Sequence, residues 1–417
     1  MEEQFLYILY LILALAILLM MVTIHEFGHY CAGKLLHFKI NEFSIGFGKS
    51  LFSHKSKKTG EMFSIRLIPL GGYCAFEDED GLENSQNSGA FNKQAPWKRL
   101  IVLFSGAFFN VLSGVLFSIV LLCATGYDVP QIVSVETVPV VITESSTSLT
   151  KDDKLLSIDN FAVSDQSVVN ITSTISSAIE AQNLEQKTTY SVVFVRNGET
   201  QTGTISVEYK NNSSVLKKGD VLIAVNGTKV DFAKDHTFSE MIQNAKGDTA
   251  TLTIKNGKEK RDVVIQLFDY GIQSNAKVIG VRLEAYKYTF GESLARCVPF
   301  TFGLAYKVLQ SLWQLITGQL ALSAVGGPLT TITQIATFTQ SNFASFFILL
   351  PLIAVNLGVF NWLPIPALDG SKMVFTLIEW IRGKPINPKV ENAIHNIGFI
   401  VLMGLVVVAD IYHLLFV

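Results

Sequence analysis

The sequence predicts a polytopic α-helical membrane protein of about four spans, with a membrane-associated β-hairpin or sheet after the first span and two small, mostly-β domains after the second. Three observations carry that prediction. Charged residues make up only 16% of the 417, apolar residues 49%, and the mean hydropathy is +0.36; soluble domains carry about 25% charged residues. Four stretches, Phe5–Ile24, Leu100–Thr125, Ser341–Leu368 and Ile397–Val417, are uncharged or hold a single acid. Each reaches the ~20 residues that a helix needs to cross the hydrocarbon core. Between the second and third, Asn-Gly twice separates runs of alternating apolar and polar residues, a strong hairpin signal. A net charge of −2 gives no reason to invoke nucleic acid.

The first helix occupies residues 1–33. It opens on "MEEQ", without a basic leader region, and runs into "HEFGHYCAGK", so it reads as a retained span and not as a cleaved signal. No Lys or Arg precedes it. Lys34, Lys39, Lys49, Lys55, Lys57, Lys58 and Arg66 follow, and Lys93, Lys98 and Arg99 lead into the second span. By the positive-inside rule, 34–97 is cytoplasmic and the N-terminus lies outside. Within that segment "FSIGFGKSLFSHKSKKTGEMFSIRLIPLGGYCAF" alternates around Gly, Lys and Ser, which predicts short strands. Its Ile65, Leu67, Ile68 and Leu70 suit the membrane face, where an open edge must lie against protein or in a wet cavity. "EDEDGLENSQNSG" (77–89) is an acidic linker.

The second span, 98–126, leads outside to domains expected at 127–210 and 211–289. They form a degenerate repeat: "LTKDDKLLSIDNFAV" (149–163) matches "LKKGDVLIAVNGTKV" (216–230) at Leu, Lys, Asp, Leu and Val. Each copy is followed by a predicted hairpin, at 190–207 and 250–267. None of the four cysteines (Cys31, Cys74, Cys123, Cys297) falls in this region and none forms a C-x-x-C pair, so no disulfide framework is needed. Residues 290–340 carry few charges but many Gln, Ser and Thr, which predicts membrane-surface or partly inserted helices. The third transmembrane segment, 341–372, is followed by a cytoplasmic loop, 373–396, and a fourth helix, 397–417, containing Asp410 and His413.

The chemistry lies in two of these spans. His25 and His29 in "IHEFGHY" are four residues apart and share a helix face. Two neutral imidazoles there can take two positions of a tetrahedral zinc, and Glu26 can act as general base on a water. The bland alternative is a pair of interfacial histidines with a snorkelling glutamate. Ionisable groups inside a membrane are costly and usually functional, so three in one turn favour the metal. A third ligand is expected from "NWLPIPALDG" (361–370), where Pro364 and Pro366 stop the helix. Unwound backbone at membrane depth is tolerated where it lines a polar cavity. Asp369 is the candidate; the alternative is an ordinary turn acid.

Together these motifs resemble the site-two proteases, zinc metalloproteases that cleave transmembrane helices within the bilayer, and specifically their bacterial PDZ-containing branch. "HEFGHY" matches H-E-x-x-H, "NWLPIPALDG" matches N-x-x-P-x-P-x-L-D-G, and "FSIGFG", "IPLGGY" and "VGGP" are similar to further family elements. The resemblance implies one zinc per chain held by His25, His29 and Asp369, with Glu26 activating the water. It implies that Asn361, with Pro364 and Pro366, holds unwound substrate. It also implies that the "FSIRLIPLGGY" hairpin, including Ile65, Leu67, Gly71 and Gly72, takes the substrate as an added strand. The external domains would be two tandem PDZ-like α+β domains. The expected protein is a monomer in the lipid bilayer of the cytoplasmic membrane, acting on single-span proteins such as an anti-sigma factor or remnant signal peptides. Some positions depart from the pattern: Ala107 precedes Asn110, and Ser371 and Lys372 follow Asp-Gly. The loop "NNSSVLKKGD" is short, and Asp152 stands where the second copy has Gly219, which favours a size filter over a peptide-docking module. Rival readings are a non-catalytic scaffold, which leaves "HEFGHY" unexplained, and an ion transporter, which needs more intramembrane ligands than the spans provide.

Overall fold

The computed structural model describes residues 2–79, 85–142, 153–163, 174, 189–231, 237–269, 277–319, 326–341 and 343–416. The start of the first repeat copy (149–152, with Asp152), part of the acidic linker and Val325 of "VGGP" lie outside them. The chain forms two compact units, Met1–Thr125 with Tyr288–Val417, and Gly126–Lys287.

In the first unit, helix α1 (Glu2–Leu35) opens on two glutamates and is then uncharged until its last turns. Strands β1 (Ile40–Lys55) and β2 (Met62–Phe76) follow, then α2 (Pro96–Ala124), which starts with proline at its first position, where no N–H is needed. α1 and α2 approach through small residues: a Cβ on Gly28 would sit 2.5 Å from the Ser105 carbonyl oxygen. The two long strands fold on themselves into four short ones. Residues 62–66 lie between 42–45 and 50–55, while 72–76 pair with 40–45 alone. Glu42 clamps the fold by accepting from Arg66 (2.7 Å) and Tyr73 (2.9 Å). Burial pushes the Glu42 carboxyl up, but hydrogen bonds from Ser64, Arg66 and Tyr73 outweigh it and hold the group below its ordinary pKa.

The second unit comprises β3 (Pro130–Val135), β4 (Val138–Ile142), β5 (Lys154–Ile158), β6 (Phe161–Ala162), β7 (Thr189–Arg196), β8 (Glu199–Lys210), β9 (Val221–Val225), β10 (Thr228–Lys229), α3 (Phe238–Gln243), β11 (Thr249–Asn256), β12 (Glu259–Gln266), β13 (Phe268–Asp269), β14 (Lys277–Val278) and β15 (Val281–Ala285). One sheet runs β4-β8-β7-β5-β6 and the other β12-β11-β9-β3-β15. Both expected hairpins are present, at β7–β8 and β11–β12. The repeated aspartates are buried anchors: Asp153 pairs with Arg196, and Asp220 accepts from Asn256 (2.8 Å). The arrangement is nested where the sequence suggested simple succession. β3, placed by sequence at the start of a first domain over 127–210, belongs to the second sheet, so the first sheet is inserted between β3 and β9. Alternation sets which face a strand buries; it does not name a partner about 150 residues away.

The chain re-enters the first unit with α4 (Phe290–Ile316), capped by Thr289 and Glu292, then α5 (Pro328–Ser341), α6 (Ala344–Trp362), α7 (Asp369–Arg382) and α8 (Pro388–Phe416). Among the described residues, three helices are long and apolar enough to cross a membrane: Gln4–Leu35, Pro96–Ala124 and Pro388–His413. The third expected span is α6, whose 19 residues reach only about 28 Å. It stops because Leu363 is extended, as a residue before proline prefers. The 373–396 stretch, read from sequence as a loop, is largely helical; only 383–387 connect α7 to α8. α1, α5 and α6 share a core of Ala14, Ile17, Met21, Ile335, Leu350 and Ala354.

Candidate metal centre

α1 carries His25 and His29 on one face, with their Nε2 atoms 3.1 Å apart. Asp369, the first residue of α7, brings Oδ2 to 2.9 Å from His25 Nε2 and 3.1 Å from His29 Nε2. A side chain on Gly370 would collide with the Leu363 carbonyl oxygen, 2.1 Å from its Cβ position, so the glycine of "LDG" lets α7 begin against the end of α6. Three ligands on one tetrahedral zinc at about 2.0–2.1 Å lie about 3.3 Å apart. The observed spacing and the donor set both fit that ion. No other group of three or more His, Cys, Asp or Glu does so among the described residues.

The outer partners orient the imidazoles. His29 Nδ1 donates to the Val102 carbonyl at 2.8 Å, which leaves the lone pair on Nε2. Asn110 is fully buried, with its amide nitrogen 3.2 Å from His25 Nδ1, and its Oδ1 has no partner among the described residues. Exchanging the amide oxygen and nitrogen, which have the same shape, lets Oδ1 accept from His25 Nδ1–H. That assignment satisfies the orphan and puts the second lone pair on Nε2. Two imidazole lone pairs and a carboxylate oxygen 2.9–3.1 Å apart repel one another, and a cation or a proton among them removes that repulsion.

Val102, Gly106 and Asn110 recur every four residues, so one face of α2 lies against the histidines. Gly106 is there for space: a Cβ would fall 2.4 Å from His29 Nε2 and 2.8 Å from His25 Cε1. Glu26 follows His25 in α1, and its carboxylate is close enough to His29, His25 and Asp369 to interact with each electrostatically. Its Oε2 accepts from the Cys74 backbone N–H of β2 at 2.9 Å, which leaves Oε1 available for a proton. Segment 72–76 has only β1 as a strand neighbour, so its other edge faces Glu26.

The remaining residues singled out in the sequence scatter. Asn361 is buried and donates to its own helix, at Leu357 O (3.0 Å). Pro364 is exposed and Pro366 half-buried in the break before α7. Ile65 is flanked by Ile45 and Phe52, so it presents no free backbone edge; Leu67 is exposed beside the bulge. Gly71 and Gly72 lie at the start of the outer edge. They are small because Phe47 and the Ser44 carbonyl oxygen approach to 2.3 and 2.7 Å of their Cβ positions. The departures noted above leave the site undisturbed: Ser371 Oγ bonds Leu368 O (2.8 Å) and Lys372 pairs with Glu79 (2.7 Å). Sequence reasoning had no role for Gly106, Val102 O or the Cys74 N–H. The small-residue run "SGA" followed by Asn110 was the available signal.

A model of peptidase family M50 matches residues 13–405. A Vibrio cholerae serotype O1 protein named "Putative zinc metalloprotease" is 27% identical over 95% of this chain and 96% of its own length. The regulator of sigma E protease of Haemophilus influenzae is 26% identical, with the same coverage. A Streptococcus pyogenes serotype M3 protein, also named as a zinc metalloprotease, is 28% identical over 93% of this chain and 94% of its own.

Proposed function

Because the chain belongs to peptidase family M50 and is a membrane zinc metalloprotease, we propose that it cleaves the membrane-spanning segments of single-span proteins, with zinc held by His25, His29 and Asp369 and with Glu26 as general base. The observation that carries this reading is the convergence of His25 Nε2 and His29 Nε2, at the end of the apolar helix α1, with Asp369 Oδ2 at the start of α7, and with the Glu26 carboxylate near all three. When bound, zinc lowers the pKa of a water and polarises a carbonyl. Glu26, held by the Cys74 N–H through Oε2, takes the proton of the attacking water on Oε1 and passes it to the leaving nitrogen. A helical substrate must unwind before its carbonyl is accessible. Apart from the Cys74 N–H, which Glu26 occupies, the outer edge of Gly71–Cys74 offers replacement backbone bonds by strand addition, which Ile65, paired on both sides, does not. Basic residues at 34–99 put the catalytic end on the cytoplasmic side. The test is zinc-dependent cleavage of a purified single-span substrate within its apolar segment; cleavage only outside that segment would reject the intramembrane reading.

The unit Gly126–Lys287 holds none of the proposed catalytic groups, and we assign it the role of a size filter. Deleting 127–285 is expected to leave cleavage of a substrate without an ectodomain near the full-length rate and to allow cleavage of one with a bulky ectodomain. Slower cleavage of the trimmed substrate, with the bulky one uncut, would identify a docking module instead.

A further inference from the structure

The segment that delivers Asp369 is bent at Ala367, whose φ of +82° is a left-handed conformation that a residue with a Cβ rarely adopts. Such backbone persists only where its surroundings hold it. Two contacts from α8 do so. The Ala367 N–H donates to His395 Nδ1 at 3.3 Å, and α8 comes so close at Gly398 that a Cβ there would fall 2.1 Å from the Cβ of Pro366. His395 is fixed in turn by Phe375 of α7, with ring centroids 5.7 Å apart. Because Nδ1 accepts, the ring proton sits on Nε2, which is buried and has no partner among the described residues. A buried donor left unsatisfied is costly. The fold keeps this histidine where it holds the Ala367 amide at the expense of its own second nitrogen.

We propose that His395 is a positioning residue for the zinc site: through the Ala367 amide it holds the bent "PAL" segment so that Asp369 Oδ2 stays on the histidine pair. This rests on Asp369 being a zinc ligand. His395 lies on the last helix, 26 residues after Asp369, and is not one of the three converging donors.

The test uses the full-length protein in detergent, with two readouts. One is hydrogen–deuterium exchange of the peptide containing Ala367. The other is the rate of zinc loss to a chelator. His395→Leu keeps the bulk and removes the acceptor. It is expected to raise exchange at Ala367 and speed zinc loss by about tenfold, the lower end of what loss of an outer partner costs a metal site. His395→Asn places Oδ1 near the position of Nδ1 and is expected to restore both. In an Ala367→Gly background, where positive φ carries no Cβ penalty, the effect of His395→Leu should shrink. Unchanged exchange in His395→Leu, or an equal defect in His395→Asn, overturns the proposal. Raised exchange without faster zinc loss also overturns it; if Asp369→Ala then keeps its zinc, the failure belongs to the ligand assignment.

Discussion

Glu26→Gln is expected to retain zinc and to lose cleavage by about 10²- to 10⁴-fold, the range that general acid–base catalysis supplies. The geometry separates the two properties. Glu26 is not among the three converging donors, and one of its oxygens is tied to the Cys74 N–H. Glutamine keeps the size and an oxygen for that bond but cannot take a proton at neutral pH. Metal analysis and a cleavage time course on the same preparation check this. Substantial turnover with zinc present would remove Glu26 from its role.

Gly106→Val is the second large expected effect, because a position outside both motifs should abolish the metal site. The Cβ alone would fall inside the contact distance of both imidazoles. His29 cannot swing aside without losing its bond to Val102 O and its approach to Asp369. Displacement of a reacting geometry by about 1 Å costs about a hundredfold, so cleavage should fall at least that far, with zinc weakened in parallel. Gly404→Ala, with no atom near its Cβ position, is the control and should leave both unchanged. Wild-type zinc affinity in Gly106→Val would contradict the requirement for a glycine between α2 and the histidines.

The two motifs were legible because each depends on local periodicity. An i, i+4 pair shares a face on any helix, and two prolines break a span wherever it packs. The three helices long and apolar enough to cross a membrane, α1, α2 and α8, followed from length and apolarity, and α6 is short because the same prolines that mark the site end it early. The outer contacts were not legible in that way. Gly106 and Asn110 matter through the distance at which α2 crosses α1, and nothing within α2 states that distance. The outer edge at Gly71–Cys74, and the loss of one at Ile65, arise because two long strands fold into four. β3 changed sheets for the same reason: pairing with β15 is a long-range choice. His395 reads in sequence as an unremarked residue of a polar stretch and acquires its place only when α8 packs on the Pro364–Ala367 break.

The central claim is that two histidines of the first helix and an aspartate 340 residues beyond the second of them hold one zinc. Zinc stoichiometry of purified protein and of His25→Ala, His29→Ala and Asp369→Ala, each shown folded by circular dichroism, tests it most directly. One zinc per chain in the parent and a loss in every variant is the predicted result. Full zinc content retained in any of the three would contradict it.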